Sequence, residues 1–246
     1  MADAVPVQTF GGPTALFEYG GLRLLTDPTF DEPRDYVSPS GVSLTKLAPP
    51  AASPDTLGRV DVVLLSHDQH PDNLDDSGRA LLATVPLTLT TVGGAARLGG
   101  AARGLAPWGS VQVGAVTITA VPARHGPEGC EPITGEVTGF VLTADGLPPV
   151  YVSGDNAALE LVEQIAGRFG PFGTAVIFAG AVRTPLFDGA LLTLDSAQAA
   201  EAARILGAQQ VVLVHFDSWA HFTEGRDALE KAFTAAGLAD RTQVGG

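Results

Sequence analysis

Cysteine is nearly absent from this chain of 246 residues: Cys130 stands alone, so no internal disulfide can form and the core itself must hold the fold. Positive charge is scarce as well. Fourteen Lys and Arg face 27 Asp and Glu, a formal charge of −13 with no basic cluster, which argues against nucleic-acid and anionic-membrane partners. The N-terminus carries Asp3 and lacks both a basic and an apolar signal region; no secretion signal is read, and a cytoplasmic location is expected. A membrane helix is lacking too, because the longest uncharged stretch, Gly104 to Ala123, is broken by Pro107, Gly109, Gln112 and Gly114 and alternates in polarity. Cys130 lies in a Gly/Pro loop with no neighbouring base, and no serine stands in a nucleophile arrangement, so catalysis through a covalent enzyme intermediate is not expected.

What remains is an ordinary globular balance, 45% hydrophobic and 17% charged, enough for one well-buried domain spanning residues 1–246. Thr14 to Tyr19 and Leu22 to Thr26 read as a hairpin around Gly20-Gly21, closed by Asp27-Pro28. Ser38 to Pro54 is polar and broken and reads as a surface excursion. Strands are expected at Val60 to Leu65, Leu87 to Thr91, Val111 to Val113, Val116 to Val121, Gly139 to Thr143, Val150 to Ser153, Ala175 to Phe178 and Val211 to Val214. Helices are expected at Arg79 to Ala83, started by Asp75 or Asp76, and at Ala157 to Ala166, Ser196 to Leu206 and Arg226 to Ala236. Asp195 followed by Gln198 gives the third of these a capping box. Strands and helices come in runs without strict alternation, which favours sheets with helices packed outside over a doubly wound parallel sheet.

Four apolar strand-like runs each end in a side chain able to bind a metal: His67 after Val62 to Leu65, His125 after Ile118 to Val121, Asp155 after Val150 to Val152, and His215 after Val211 to Val214. A strand buried along its length and polar only at its exit places that residue on a sheet rim, where several rims can share one cleft. The segment Ser66-His67-Asp68-Gln69-His70-Pro71-Asp72-Asn73 packs two imidazoles and two carboxylates together, a donor set suited to a divalent cation.

These blocks, with Gly11 to Ala15, Leu24 to Pro28, Pro122 to His125, Ser153 to Asp155 and Val214 to Phe216, resemble the metallo-β-lactamase superfamily over nearly the whole chain. The resemblance is closer to its small single-domain zinc-dependent hydrolases, which include the ascorbate-6-phosphate lactonase-like proteins. It implies an α+β fold, a four-layer αββα sandwich of two mixed β-sheets with helices on the outer faces. The family pattern His-x-His-x-Asp-His is altered here. Counting back from Asp72 puts His70 second and Asp68 first; counting forward from His67 puts Gln69 second; imidazole is the better donor, which favours His67 and His70 with a one-residue bulge. Asn73 stands where the last histidine would be and offers only a neutral amide oxygen.

By resemblance His67, His70 and His125 hold one metal, Asp155 bridges, and Asp72 with His215 holds the other, with Asp72 also orienting or deprotonating the water. The metal is Zn2+, one or two ions, with Mn2+ or Fe as alternatives. Asp155 has a competing reading as the N-cap of the following helix. Asp68, Asn73, Arg124, Asp217, Trp219 and His221 are candidates for contact with the substrate or with a ligand, although for Trp219 core packing is equally in view. The expected activity is hydrolysis of a small lactone or ester by a metal-activated hydroxide. The rivals are a phosphodiesterase, an iron-dependent oxidoreductase on the same scaffold, and a non-catalytic protein with a degenerate metal site.

Overall fold

The structure, a computed structural model, describes residues 4–37 and 43–245. Its first sheet has six strands in the order β1 (Val7–Thr9), β2 (Ala15–Tyr19), β3 (Leu22–Thr26), β6 (Val62–Leu64), β7 (Thr88–Thr90) and β8 (Ala102–Gly104). The first three are antiparallel and the rest are added in parallel. A second sheet of seven runs β15 (Thr242–Val244), β14 (Gln210–Val214), β13 (Thr174–Phe178), β12 (Leu147–Val152), β11 (Val137–Ala144), β10 (Val116–Ala123) and β9 (Ser110–Val113). It too is mixed, antiparallel from β9 to β12 and parallel from β12 to β15.

Side chains alternate across a strand, so each sheet has two apolar faces to cover. Leu24, Val62, Leu64 and Leu89 of the first sheet meet Ile118, Phe140, Leu142, Val176 and Val212 of the second in a shared inner core. The alternate residues Leu25, Val63 and Leu65 face outward onto Leu74, Leu81 and Leu82, the last two from α1 (Asp76–Leu82). On the far side Tyr151, Ile177 and Leu213 pack beneath α4 (Leu159–Phe169), α5 (Ser196–Ile205) and α6 (Arg226–Ala235) through Val162, Ile165, Ala199, Leu229 and Phe233. The layers are therefore helix, sheet, sheet, helix, the expected αββα sandwich.

Local chemistry sets the boundaries. Gly20 and Gly21 both have positive φ, the backbone that a tight two-residue hairpin turn demands. Asp75 caps α1 by accepting from the Gly78 N–H at 2.8 Å, and Asp195 caps α5 by accepting from Gln198 N–H at 2.8 Å while the Gln198 side chain reaches back. Helix α4 starts at Leu159, with Ala158 at the N-cap and no side-chain cap, so Asp155 is not its cap.

One expectation is corrected. The stretch from Ser38 to Pro54 is not a plain surface excursion: 38–42 lie outside the described residues, but Ser43–Lys46 forms β5, paired with β4 (Arg34–Val37) in a hairpin. Lys46 is buried against Asp75, their Nζ and Oδ2 atoms 3.0 Å apart, so this hairpin is fastened to the start of α1 by an ion pair that composition could not reveal.

Candidate metal centre

Strands β10 and β12 both run antiparallel to β11, and β12, β13 and β14 are parallel, so β10, β12 and β14 finish at the same edge of the second sheet. There they deliver His125, Asp155 and His215. The first sheet brings Ser66-His67 to the same place, because the Thr138 N–H donates to the Ser66 carbonyl at 3.1 Å and joins the two rims. Gly154 makes the approach possible. A Cβ there would stand 2.6 Å from the Thr138 carbonyl oxygen and 2.8 Å from Ser66 Cβ, at a φ of +59° that side chains resist. His215 (φ +61°) and Asp27 (φ +23°) hold left-handed backbone without being glycine, and such local strain concentrates where a side chain must be aimed for function.

Two donor groups result: His67, His70 and His125, and beside them Asp72, Asp155 and His215, with the donor atoms of each group within 4.8 Å of one another. His67 Nε2 lies 2.9 Å from His70 Nδ1. Asp27 accepts a hydrogen bond from the Ser66 hydroxyl at 2.5 Å; Ser66 Oγ in turn accepts from His67 Nδ1 at 3.0 Å, which fixes the tautomer and leaves the His67 Nε2 lone pair turned into the group. His125 does the same through Nδ1, which donates to the Leu192 carbonyl at 2.9 Å. Burial, followed by the neighbouring imidazoles His70 and His125, holds His67 well below its ordinary pKa, and burial likewise depresses His125; both are neutral donors at pH 7.

The second group is acidic. His215 Nε2 stands 3.3 Å from Asp72 Oδ2 and 3.5 Å from Asp155 Oδ1, and His125 Nδ1 stands 3.6 Å from Asp155 Oδ2, so Asp155 lies between the two groups. Burial works to raise Asp72, but His221 and His215 outweigh it and hold the carboxyl well below the usual range. For His215 burial works downward and the two carboxylates outweigh it, leaving it raised. Asp27 is pushed up to about 7 by burial, against hydrogen bonds from Ser66 and Asn73.

The unpaired atoms test whether a cation fits. Asp72 Oδ1, Asp155 Oδ2, Asn73 Oδ1, His221 Nδ1 and both His215 nitrogens are buried with no hydrogen-bond partner among the described residues. The His215 contacts above are close but not aligned as hydrogen bonds. Each buried orphan costs about 1–3 kcal/mol, and their concentration at one point is the pattern that a divalent cation relieves. Three imidazoles beside a carboxylate-rich set suit zinc, manganese or iron. The residues fit a metal.

The remaining candidates separate. Asp68 is turned away into a bidentate pair with Arg97 (3.0 and 2.5 Å), and Gln69 lies against Gly135; it is His67 and His70 that face each other. Asn73 Nδ2 sits 3.0 Å from Asp27 Oδ2 and 3.2 Å from Asp155 Oδ1; two acceptors require a donor between them, so the amide nitrogen occupies that place. Arg124 pairs with Glu160 on α4 and the Gly126 carbonyl, away from the donors. Asp217 accepts from the Gly12 N–H at 2.8 Å and braces a loop. Trp219 is buried against Tyr36, with ring centroids 5.3 Å apart. His221 Nε2 donates to Asp72 Oδ2 at 2.9 Å, so it touches a residue of the second group. Asp27 and Ser66 were missed. The signal for Asp27 was present: β3, like the other four strands, ends in a residue able to hold charge.

A family model described as a β-lactamase superfamily domain matches residues 22–216. The chain is 28% identical over 179 residues to a UPF0173 metal-dependent hydrolase of Methanosphaerula palustris, covering 70% of this chain and 75% of that one. It is 31% identical over 243 residues to an uncharacterised protein of Mycobacterium tuberculosis, covering 89% of this chain but only 60% of the relative's length. The crystal structure of a possible metal-dependent hydrolase from Veillonella parvula superposes with a TM-score of 0.85 at 17% identity, covering 99% of this chain and 97% of that one. By its domain match and its fold, the chain belongs to the β-lactamase superfamily.

Proposed function

We propose that this metal-dependent hydrolase cleaves a small, uncharged lactone or ester, with zinc, one or two ions, as its metal. The observation that carries the substrate class is the state of the cations around the site. Lys46 is committed to Asp75 at 3.0 Å, Arg97 to Asp68, Arg124 to Glu160, and Arg183 to the Gly189 carbonyl at 2.7 Å. A bound metal would offset Asp72 and Asp155, so the discrimination lies with the side-chain cations: an anionic phosphodiester would have to break these pairings to gain a contact. A neutral acyl substrate meets no such penalty.

A divalent metal supplies two things in such a site: a lowered pKa for bound water and polarisation of the carbonyl oxygen under attack. The rest falls to the chain. His67, His70 and His125 offer imidazole nitrogens, the first and last aimed through Ser66 and the Leu192 carbonyl. Asp155 reaches both groups, and Asp72 with His215 completes the second. Asp72 stays ionised across the neutral range, and its unpartnered Oδ1 is the atom placed to orient a water by accepting its hydrogen bond.

The test is a rate comparison on zinc-loaded protein between an aryl ester, a γ-lactone and bis(p-nitrophenyl) phosphate. Faster turnover of ester or lactone, lost with a chelator and restored by zinc, is expected. Preference for the phosphodiester would overturn the substrate class.

A further inference from the structure

Asn73 leaves the Asp72–Asp155–His215 group one nitrogen short, since its amide nitrogen is fixed between Asp27 and Asp155. On the other side of Asp72 stands an imidazole that nothing else employs. His221 Nε2 is 2.9 Å from Asp72 Oδ2, the same oxygen that His215 Nε2 approaches at 3.3 Å. Donor atoms bound about 2.0–2.1 Å from one tetrahedral ion lie roughly 3.3 Å apart, which the His215 spacing matches, while the 2.9 Å of His221 is a hydrogen-bond length that a shared cation would open by a few tenths of an ångström. His221 Nδ1 is buried and has no partner among the described residues; with Asp72 ionised, Nε2 carries the ring proton in this arrangement, and a cation bound there would replace it, the proton moving to Nδ1.

The ring is also held in place. It packs 4.5 Å from Phe222 and 6.2 Å from Trp219 (centroid distances), and Trp219 is in turn pinned by Tyr36 and by a backbone bridge to Lys46 of β5. The hairpin thus holds His221 from outside by packing, where Ser66 and Leu192 hold His67 and His125 by hydrogen bonds.

We infer that His221 is a ligand of the second metal position and supplies the nitrogen that Asn73 does not. This rests on the metal-dependent reading above. The rival is a positioning role, in which His221 only hydrogen-bonds Asp72.

Cobalt(II) uptake by equilibrium dialysis, together with the visible spectrum of the bound cobalt, distinguishes them. The wild-type chain is expected to take two equivalents. His221→Ala and His221→Gln, both checked for folding by circular dichroism, are expected to keep the first and bind the second at least about tenfold more weakly, with loss of part of the visible spectrum. Glutamine retains a hydrogen-bond donor for Asp72 but is a poor cobalt ligand. Retention of the second equivalent by His221→Gln, or by both variants, would overturn the inference. A wild type that binds a single equivalent would also overturn it and leave the His67 group intact; uptake of none would sink the metal-dependent reading itself.

Discussion

The Lys46–Asp75 pair gives the sharpest stability prediction. Lys46 ends β5, Asp75 opens α1 three residues beyond Asp72, and their side chains are 2% and 0% exposed. Asp75 also accepts from the Gly78 N–H at 2.8 Å and the Asp31 N–H at 2.7 Å, so it has three donors and one compensating charge. Lys46→Met keeps an unbranched apolar stem and removes the ammonium, with its charge and its hydrogen bond. A buried carboxylate left without its cation costs about 3–5 kcal/mol, against about 0–1 kcal/mol for a solvated surface pair. For a chain of this size each kcal/mol moves the melting midpoint by about 2–4 °C, so a fall of about 10 °C is expected. Asp75→Asn should cost a similar amount by stranding the lysine, although asparagine caps a helix as well as aspartate does. The double variant carries neither charge and should recover most of the loss. Thermal unfolding followed by circular dichroism, at fixed metal concentration, reads all four proteins. Single variants that cost under about 1 kcal/mol, with additive effects, would refute the argument that this hairpin is fastened by a desolvated pair.

Asp155→Asn is expected to stay folded, since no helix end depends on it, while losing metal from the second group and most hydrolytic activity; unchanged metal content by elemental analysis would remove Asp155 from the site. Leu64→Ala, in the core between the sheets, is expected to cost about 2–5 kcal/mol in urea unfolding, and a loss under 1 kcal/mol would contradict the packing described. Asp31 tests pH dependence away from the donors. Burial works to raise its carboxyl, but hydrogen bonds from Ser77 and Tyr36 outweigh it and leave the folded pKa below the unfolded value. Its stabilisation is therefore complete above about pH 4 and lost as pH falls through the folded value, so the stability gap between wild type and Asp31→Asn should close on acidification; a constant gap would contradict this.

Much of this architecture was legible in the sequence, where local chemistry and tertiary structure agree. Gly20-Gly21 marks its hairpin, the apolar runs of β6, β10, β12 and β14 stop where their polar residues begin, and Asp195 with Gln198 announces α5. What escaped had local signals pointing elsewhere. Helix α2 (Val92–Leu98) was hidden by Gly93-Gly94, yet a Cβ at Gly94 would stand 2.9 Å from the hydroxyls of Thr90 and Thr91, so packing imposes the glycine that propensity reads against a helix. The β4–β5 hairpin, Arg-Asp-Tyr-Val paired with Ser-Leu-Thr-Lys, has no apolar run to mark it and owes its place to Lys46 and Tyr36. At the site, strand ends could be read but side-chain directions could not: Asp27 passes for a turn residue, Asp155 for a helix cap, and Asp68 for a ligand until Arg97 claims it. The spacing of His67, His70 and Asp72 left two registers open, and only the fold shows which side chains turn toward His125.

The central claim is that two adjoining groups of donors, all buried but the half-buried His70, hold divalent metal. Elemental analysis of the chain after mild purification, followed by anomalous scattering at the zinc edge from crystals, tests it most directly. The account predicts density among His67, His70 and His125, with a second peak beside Asp72, Asp155 and His215 at high zinc. A protein that emerges metal-free and takes up neither zinc nor manganese on titration, while correctly folded, would contradict it.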